Sequence, residues 1–512
     1  MKKILLSLFL LGGLLTSCDM DLKPIGSIDE SQAIENANDC YMFRNGIYNN
    51  LRALATGRYL YQTELQMDQF LGCVQNGNRN GTLSNGVILS SDSDIENVWG
   101  GCYGAIASTN FFIPKAEELL QSGTLDAEDA IAVERYLGET YFARATFYFY
   151  LLDHFCPVYN ETNKDKQLGL CLVTEYAPTA EKTHYPDRST LAETYTFIEN
   201  DLAKAYEMIK DFEENSGDGN AVGDMLTINA PYVNSYAVEA LQARLALIKG
   251  DYATALAKAQ DVMGAGIWRL QNRLQLSQLW TNDNSTELIF RPISTSTELG
   301  ISSTGSAYIS TDPNQADYLP TSQVVNELYP DGDKRLEAYF GVRDLLVEGT
   351  FYNNAPIFIK YPGNPALIIG GPNLMNMAKP FRLAEMYLIA AEAACELGQD
   401  KDASTYLYNL RSYRIQGAQN VQYSGNELRN EVRTERAREL IGEGFRMSDL
   451  RRWGLGFTRS GEYPLNPAIN DIIVKAGTTV QYQPNDYRYV WPIPATEMQV
   501  NPHLAGQQNP GY

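Results

Sequence analysis

The chain has 512 residues with 62 acidic and 41 basic side chains, a formal charge of −21, so it exceeds a small single module and makes a poor ligand for phosphate backbones. Apolar residues at 44% and charged residues at 20% are ordinary globular usage, which excludes wholesale disorder and a multi-span membrane protein. Tyrosine departs from the average: 33 Tyr stand against 18 Phe and 5 Trp, and this amphipathic ring suits wet surfaces.

Met1-Lys2-Lys3 is followed by an apolar run from Ile4 to Leu15. That run is too short for a bilayer, which takes about 20 apolar residues, and no later segment supplies such a length. It reads as a signal-peptide core, and its end, Leu15-Thr16-Ser17-Cys18, resembles a bacterial lipobox. Residues 1–17 are therefore expected to be a lipoprotein signal peptide, with Cys18 as the lipidated N-terminus. Several acyl chains on one cysteine, at ~0.8 kcal/mol per buried methylene, anchor a protein stably. Asp19 and Asp21 resemble the surface-export signal of lipoproteins in Bacteroidetes-type bacteria, which points outward from the outer membrane. Residues 18–27, with Pro24 and Gly26, read as a lipidated tether to a single body over 28–512.

Within that body, 28–260 is predicted to be an N-terminal helical part carrying a long loop at 65–95, where Gly, Asn and Ser crowd together. Trp99, Tyr103, Ile106 and Asn110 then fall at helical spacing. Residues 127–155 are free of proline, follow an N-cap at Asp126 and become apolar nearly all round, the pattern of a buried helix. From Arg188 to Phe212 the residues Leu191, Tyr195, Ile198, Leu202, Tyr206 and Ile209 make one apolar stripe. Residues 233–263 read as a helical hairpin broken at Gly250-Asp251, with small residues at Ala253, Ala257 and Ala259 for close helix approach. The part 261–512 contains a loop at 291–320, a second hairpin (381–397 and 402–414) around Gly398, and a proline-rich cap at 462–512. Pairs of this kind suggest tetratricopeptide-like packing assembled in space, since no fixed 34-residue period occurs. The expected class is mainly α: a helical-hairpin scaffold with long irregular loop insertions and few short strands.

Residues 429–453 place Glu435, Glu439 and Glu443 at one-turn intervals among Arg436, Arg446, Asp449, Arg451 and Arg452. Carboxylates at such spacing meet the 5–10 Å that glycoside hydrolysis uses. Guanidinium neighbours, however, keep carboxylates ionised, the opposite of what a general acid needs, so an ion-pair network is expected and no catalytic residue is assigned. His154, His184 and His503 lack any nucleophile or zinc pattern, and neither the Asp92-Ser93-Asp94 nor the Asp331-Gly332-Asp333 segment continues into a calcium loop. No metal and no cofactor is expected. Cys40, Cys73, Cys102, Cys156, Cys171 and Cys395 form no C-x-x-C and are open to disulfides or to buried free thiols. For a ligand, aromatic faces and amide or carboxylate groups on the long loops are the candidates. These are Asp68, Phe70, Asn76, Asn78 and Arg79 in the first loop, and Trp280, Tyr308 and Tyr318 in or beside the second.

The string Glu435-Arg436 through Glu443-Gly444, Arg446 and Asp449 to Trp453 resembles the most distinctive motif of the SusD/RagB family. In chain order, 143–158, 188–205, 382–393 and the terminus Trp491-Pro492-Ile493-Pro494 to Asn509-Pro510-Gly511-Tyr512 are similar to further segments of that family. Cys156 stands where its glycine is usual, and Pro157 and Val158 are exchanged. The resemblance implies a tetratricopeptide-type scaffold, without enzymatic activity, that captures a nutrient, usually a glycan, and delivers it to a TonB-dependent (SusC-like) transporter of the outer membrane. The alternatives are oligopeptide cargo in the same machine, or a secreted glycoside hydrolase.

Overall fold

The structure, a computed structural model, describes residues 33–77, 79, 82–297, 303–475 and 479–512. The expected signal peptide, Cys18 and the tether lie outside the described residues.

Helices α1 (Ala37–Leu54), α2 (Arg58–Gln66), α3 (Ser93–Gln121), α4 (Ala127–Phe155), α5 (Leu191–Asn215), α6 (Gly219–Met225), α7 (Ser235–Lys249) and α8 (Tyr252–Gly264) build the first half. The α4 helix begins where its sequence says it should, with the Asp126 side chain accepting from the Asp129 amide. A capping box between Thr190 and Glu193 opens α5. Gly250, at φ 84°, ends α7 and reverses the chain into α8, so the alanine-lined pair packs antiparallel. Helices α3, α4 and α5 lie side by side. Tyr141 donates to Glu117 of α3, and Arg144 reaches Asn110 on one side and Asp201 of α5 on the other. Gly138 lets α4 and α5 approach: a Cβ there would lie 2.9 Å from the Met208 Cβ and 3.2 Å from Ile209. Gly138→Val should therefore lower stability by about 1–3 kcal/mol through overpacking, read as a shift in the urea midpoint with an unchanged slope.

The second half holds α9 (Leu276–Thr281), α10 (Lys334–Tyr339), α11 (Leu383–Glu396), α12 (Asp400–Ser412), α13 (Gly425–Glu439), α14 (Arg446–Arg452) and α15 (Ala495–Val500). The expected hairpin at Gly398 is α11–α12. The stretch 429–453, whose glutamates recur at one-turn intervals in sequence, is divided between α13 and α14, because Gly442 (φ 77°) and Gly444 (φ 86°) turn the chain between them.

Strands β1 (Phe70–Gly72), β2 (Leu288–Phe290), β3 (Tyr318–Pro320), β4 (Phe340–Val347), β5 (Thr350–Phe358), β6 (Phe381–Arg382), β7 (Phe457–Arg459) and β8 (Val480–Tyr482) pair two by two, all antiparallel: β1–β3, β2–β6, β4–β5 and β7–β8. The two long loops thus meet, with Phe70 opposite Pro320 and Gly72 opposite Tyr318. Glu348 and Gly349, both at positive φ, make the two-residue turn of the β4–β5 hairpin.

Apolar side chains gather in two clusters. One runs through the helices from Cys40 to Leu504; the second, built on Phe70, Trp280, Tyr308, Tyr318, Phe340 and Phe358, lies under the loops. The C-terminal segment crosses the end of α4. Trp491 donates its backbone amide to the His154 carbonyl and its indole N–H to Gln66, while Arg188 holds the Gln507 carbonyl and Asn509. All six described cysteines are buried free thiols.

Candidate functional site

The acidic face of α13 is the centre of a buried ion cluster. Arg335, Lys360, Arg382, Arg411, Arg414 and Arg438 interleave with Glu287, Asp333, Glu431, Glu435, Glu439 and Glu443. Glu439 is the hub: it accepts from Arg335 at 2.9 Å, Arg382 at 2.6 Å and Arg414 at 3.0 Å. Burial alone would raise the Glu435 carboxyl, but Arg335, Arg411 and Arg438 outweigh it and hold it down at about 2. The Glu439 and Glu443 carboxyls are lowered against the same burial penalty, by Arg414, Arg382 and Arg335 for the first and by Arg382 and Lys360 for the second. These groups stay ionised at neutral pH and have no proton to give, as the sequence pattern implies. Beside them Glu64 of α2 accepts the backbone N–H groups of Gly442, Gly444 and Arg446, which fixes the turn between α13 and α14.

The residues singled out as ligand candidates separate into three groups. Phe70, Trp280, Tyr308 and Tyr318 are buried. Phe70 and Tyr308 stand 4.8 Å apart and both pack on Phe358, while Trp280 meets Tyr339 and Tyr361 edge-on. Their faces are spent on one another, so the expectation that these rings form a solvent-facing platform is corrected: they are the second core. Asp68 is held by a two-point pair with Arg446, at 2.6 and 2.8 Å, and Asn76 is buried at the foot of β1. Arg79 is exposed and pairs with Asp317. Asn78 lies outside the described residues.

Above the second core lies a groove of about 560 Å³ between α10, the β4–β5 hairpin and residues 463–466. Its apolar surface comes from Leu336, Val342 (66% exposed) and Leu465 (79% exposed), and its polar groups from Ser322, Asn326, Asn354, Asn466 and the Lys334–Glu337 ion pair, 3.2 Å between N and O. Asn466 donates to the Asn353 carbonyl and so ties one wall to the tip of the hairpin. Phe351, 56% exposed, is an exposed ring on the same hairpin. Neutral amides and a self-neutralising Lys334–Glu337 pair beside aliphatic patches match a neutral polyhydroxylated ligand, whose C–H faces and hydroxyls need both kinds of partner. These groove residues are not among the candidates expected from the sequence. The available signal was the Glu348-Gly349 turn between two runs carrying β-branched and aromatic residues, Phe340 to Val347 and Thr350 to Phe358.

A search against protein-family models matches residues 32–217 to a family described as starch-binding associating with outer membrane, and residues 373–512 to the SusD family. A SusD-like protein of Formosa agariphila is 33% identical over 138 residues, 26% of this chain and 24% of that relative, so the match spans about a quarter of the relative's length. Among solved structures, a SusD superfamily protein of Bacteroides thetaiotaomicron superposes with a TM-score of 0.74 at 24% identity, covering 93% of this chain and 100% of its own. A SusD-like carbohydrate binding protein of Bacteroides vulgatus gives a TM-score of 0.69 at 18% identity, covering 92% and 97%. At these identities the structures bear on the fold alone.

Proposed function

Because the chain belongs to the SusD/RagB family, we propose that it is a lipoprotein, anchored through Cys18 on the outer face of the outer membrane, that binds a glycan and passes it to a TonB-dependent transporter. The binding takes place without catalysis. The reading is carried by the groove between α10, the β4–β5 hairpin and 463–466, where amide and carboxylate groups alternate with exposed aliphatic surface on a rigid hairpin. The lipobox and its acidic neighbours support the location. Among the described residues no helix is long and apolar enough to cross a membrane, which suits attachment by acyl chains.

Titration calorimetry of the chain against a panel of oligosaccharides is the test. A glycan that saturates the protein is expected, and Leu465→Ala and Asn326→Ala should each weaken it about tenfold, the equivalent of ~1.4 kcal/mol, without moving the melting temperature. Silence across glycans together with binding of peptides would overturn the cargo assignment. Failure to recover a β-barrel in a pull-down from outer membranes would overturn the transporter.

A further inference from the structure

The β4–β5 hairpin extends past the groove, and its register decides which side chains continue the groove wall. On β4, Val342, Asp344 and Leu346 share one face, because side chains alternate along a strand. Across the ladder Pro356 stands opposite Val342 and Phe351 opposite Leu346, and directly opposed residues project to the same side. Phe351 and Pro356 are five positions apart and would lie on opposite faces of a regular strand. The register shift between Arg343 and Leu345 absorbs the odd residue, with Asn354 at φ 57° and its amide donating to Asp344 Oδ1. Val342 and Pro356 line the groove. Leu346 and Phe351, both exposed, therefore extend the same surface toward the turn at Glu348-Gly349.

The opposite face and the outer edge of β4 carry the anchors. Leu345 is buried, and Arg343 donates to the carbonyls of Ser310, Asp312 and Gln315. The Asn314 side chain donates to the Asp344 carbonyl, and Gln75 to the Leu346 carbonyl. Both long loops thus hold the hairpin, and Phe351 is presented on a fixed element, which lowers the cost of ordering it when a ligand arrives. Along β4 the rise from Val342 to Leu346 is ~13 Å at ~3.3 Å per residue. Two sugar rings that far apart are not neighbours in a chain, so a ligand touching both ends has at least one ring between them. The groove itself, at about 560 Å³, exceeds several-fold the ~150 Å³ that holds one benzene. Between the apolar ends Asp344 offers a carboxylate to hydroxyls, while the Phe351 ring offers its face to sugar C–H groups.

Resting on the reading that the groove binds a glycan, we propose that its ligand is a linear oligosaccharide of three or more rings whose far end stacks on Phe351, so that the hairpin selects for chain length. The test is titration calorimetry of the full chain with malto-, cello-, xylo- and manno-oligosaccharides of one to six units. In the series that binds, affinity should step up about tenfold once the chain reaches three or four units. Phe351→Ala should remove that step and leave the shorter members unchanged, and Phe351→Tyr should keep it. Leu465→Ala, in the groove, should weaken short and long members alike. Phe351→Trp gives a direct signal: its indole fluorescence, measured against the parent, should change with the hexasaccharide and not with the disaccharide. Silence in every series overturns the glycan reading of the groove and this inference with it. Equal affinity from disaccharide to hexasaccharide, a step that survives in Phe351→Ala, or an indole signal that the disaccharide also produces overturns the selection for length and leaves the groove reading standing.

Discussion

Glu439→Gln is expected to cost about 3–5 kcal/mol, a large share of a folded domain's stability of about 5–15 kcal/mol. The carboxylate it removes is fully buried and neutralises Arg335, Arg382 and Arg414 together. Cations and carboxylates in that cluster are equal in number, so the substitution leaves one positive charge in excess where water cannot reach it. Glutamine also turns a donor toward three guanidinium groups that can only donate. Arg335 keeps Asp333 and Glu435, and Arg382 keeps Glu443, but Arg414 keeps only Glu287 among its carboxylate partners. Arg414→Met should for that reason restore part of the loss in the double variant. Urea midpoints of the four proteins measure it, and additive losses in the double variant would contradict the coupling.

The second large effect is a pair of opposed pH dependences. His154 titrates near 6.5 when unfolded and near 4 when folded, because burial disfavours its charged form. Between those values the unfolded chain binds the extra proton, so this group removes stability as pH falls from 6.5 to 4, by about 3 kcal/mol at ~1.4 kcal/mol per unit. Glu64 runs the other way. Burial raises its carboxyl from 4.5 to about 7 against the three backbone N–H groups that favour the anion. The folded chain then holds a proton that the unfolded one has released, which adds stability as pH falls from 7 to 4.5. In His154→Phe the stability should therefore gain about 3 kcal/mol relative to the parent between pH 7 and pH 4. Glu64→Gln should lose relative to the parent over 7 to 4.5. Below 4.5 the lowered carboxyls of Glu435, Glu439 and Glu443 dominate in every variant, and stability present above 4.5 is lost as pH falls toward 2. Urea unfolding at pH 7, 5.5 and 4 reads both differences, and parallel curves for parent and variant would refute the assignment.

The helices were legible because their cause is local. Asp126, Thr190, Gly250 and Gly398 act on residues within one turn, and an apolar stripe repeats every three to four positions wherever a helix covers a core. Charge pairing around Glu435, Glu439 and Glu443 was legible for the same reason, though Arg335, Lys360, Arg382 and Arg414 arrive from other segments and could not be named. The second core was not legible. Phe70, Trp280, the pair Tyr308 and Tyr318, and Phe358 come from four separate stretches of the chain, and composition describes a segment without saying what packs beneath it. Tyrosine divides the same way: Tyr141 and Tyr148, on a helix whose pattern already reads as core, are buried as that pattern implies, whereas Tyr308 and Tyr318, in the stretch 291–320 that reads as a loop, are buried where the composition pointed to a wet surface.

The short segment from Glu64 to Asp68 takes its polar partners from the far end of the chain. Glu64 is bonded to the turn at 442–446, Asp68 to Arg446, Gln66 to Trp491 and to the Arg488 carbonyl. These contacts span 378 to 425 positions of sequence. A chain made from its N-terminus cannot close this part of its interior until residues 442–491 have emerged. Early residues bearing two carboxylates and an amide stay hydrated until then, because nothing yet compensates their burial. Closure of this part of the interior is thus tied to the appearance of residues 442–491, while helix pairs formed by neighbouring segments have all their partners much earlier.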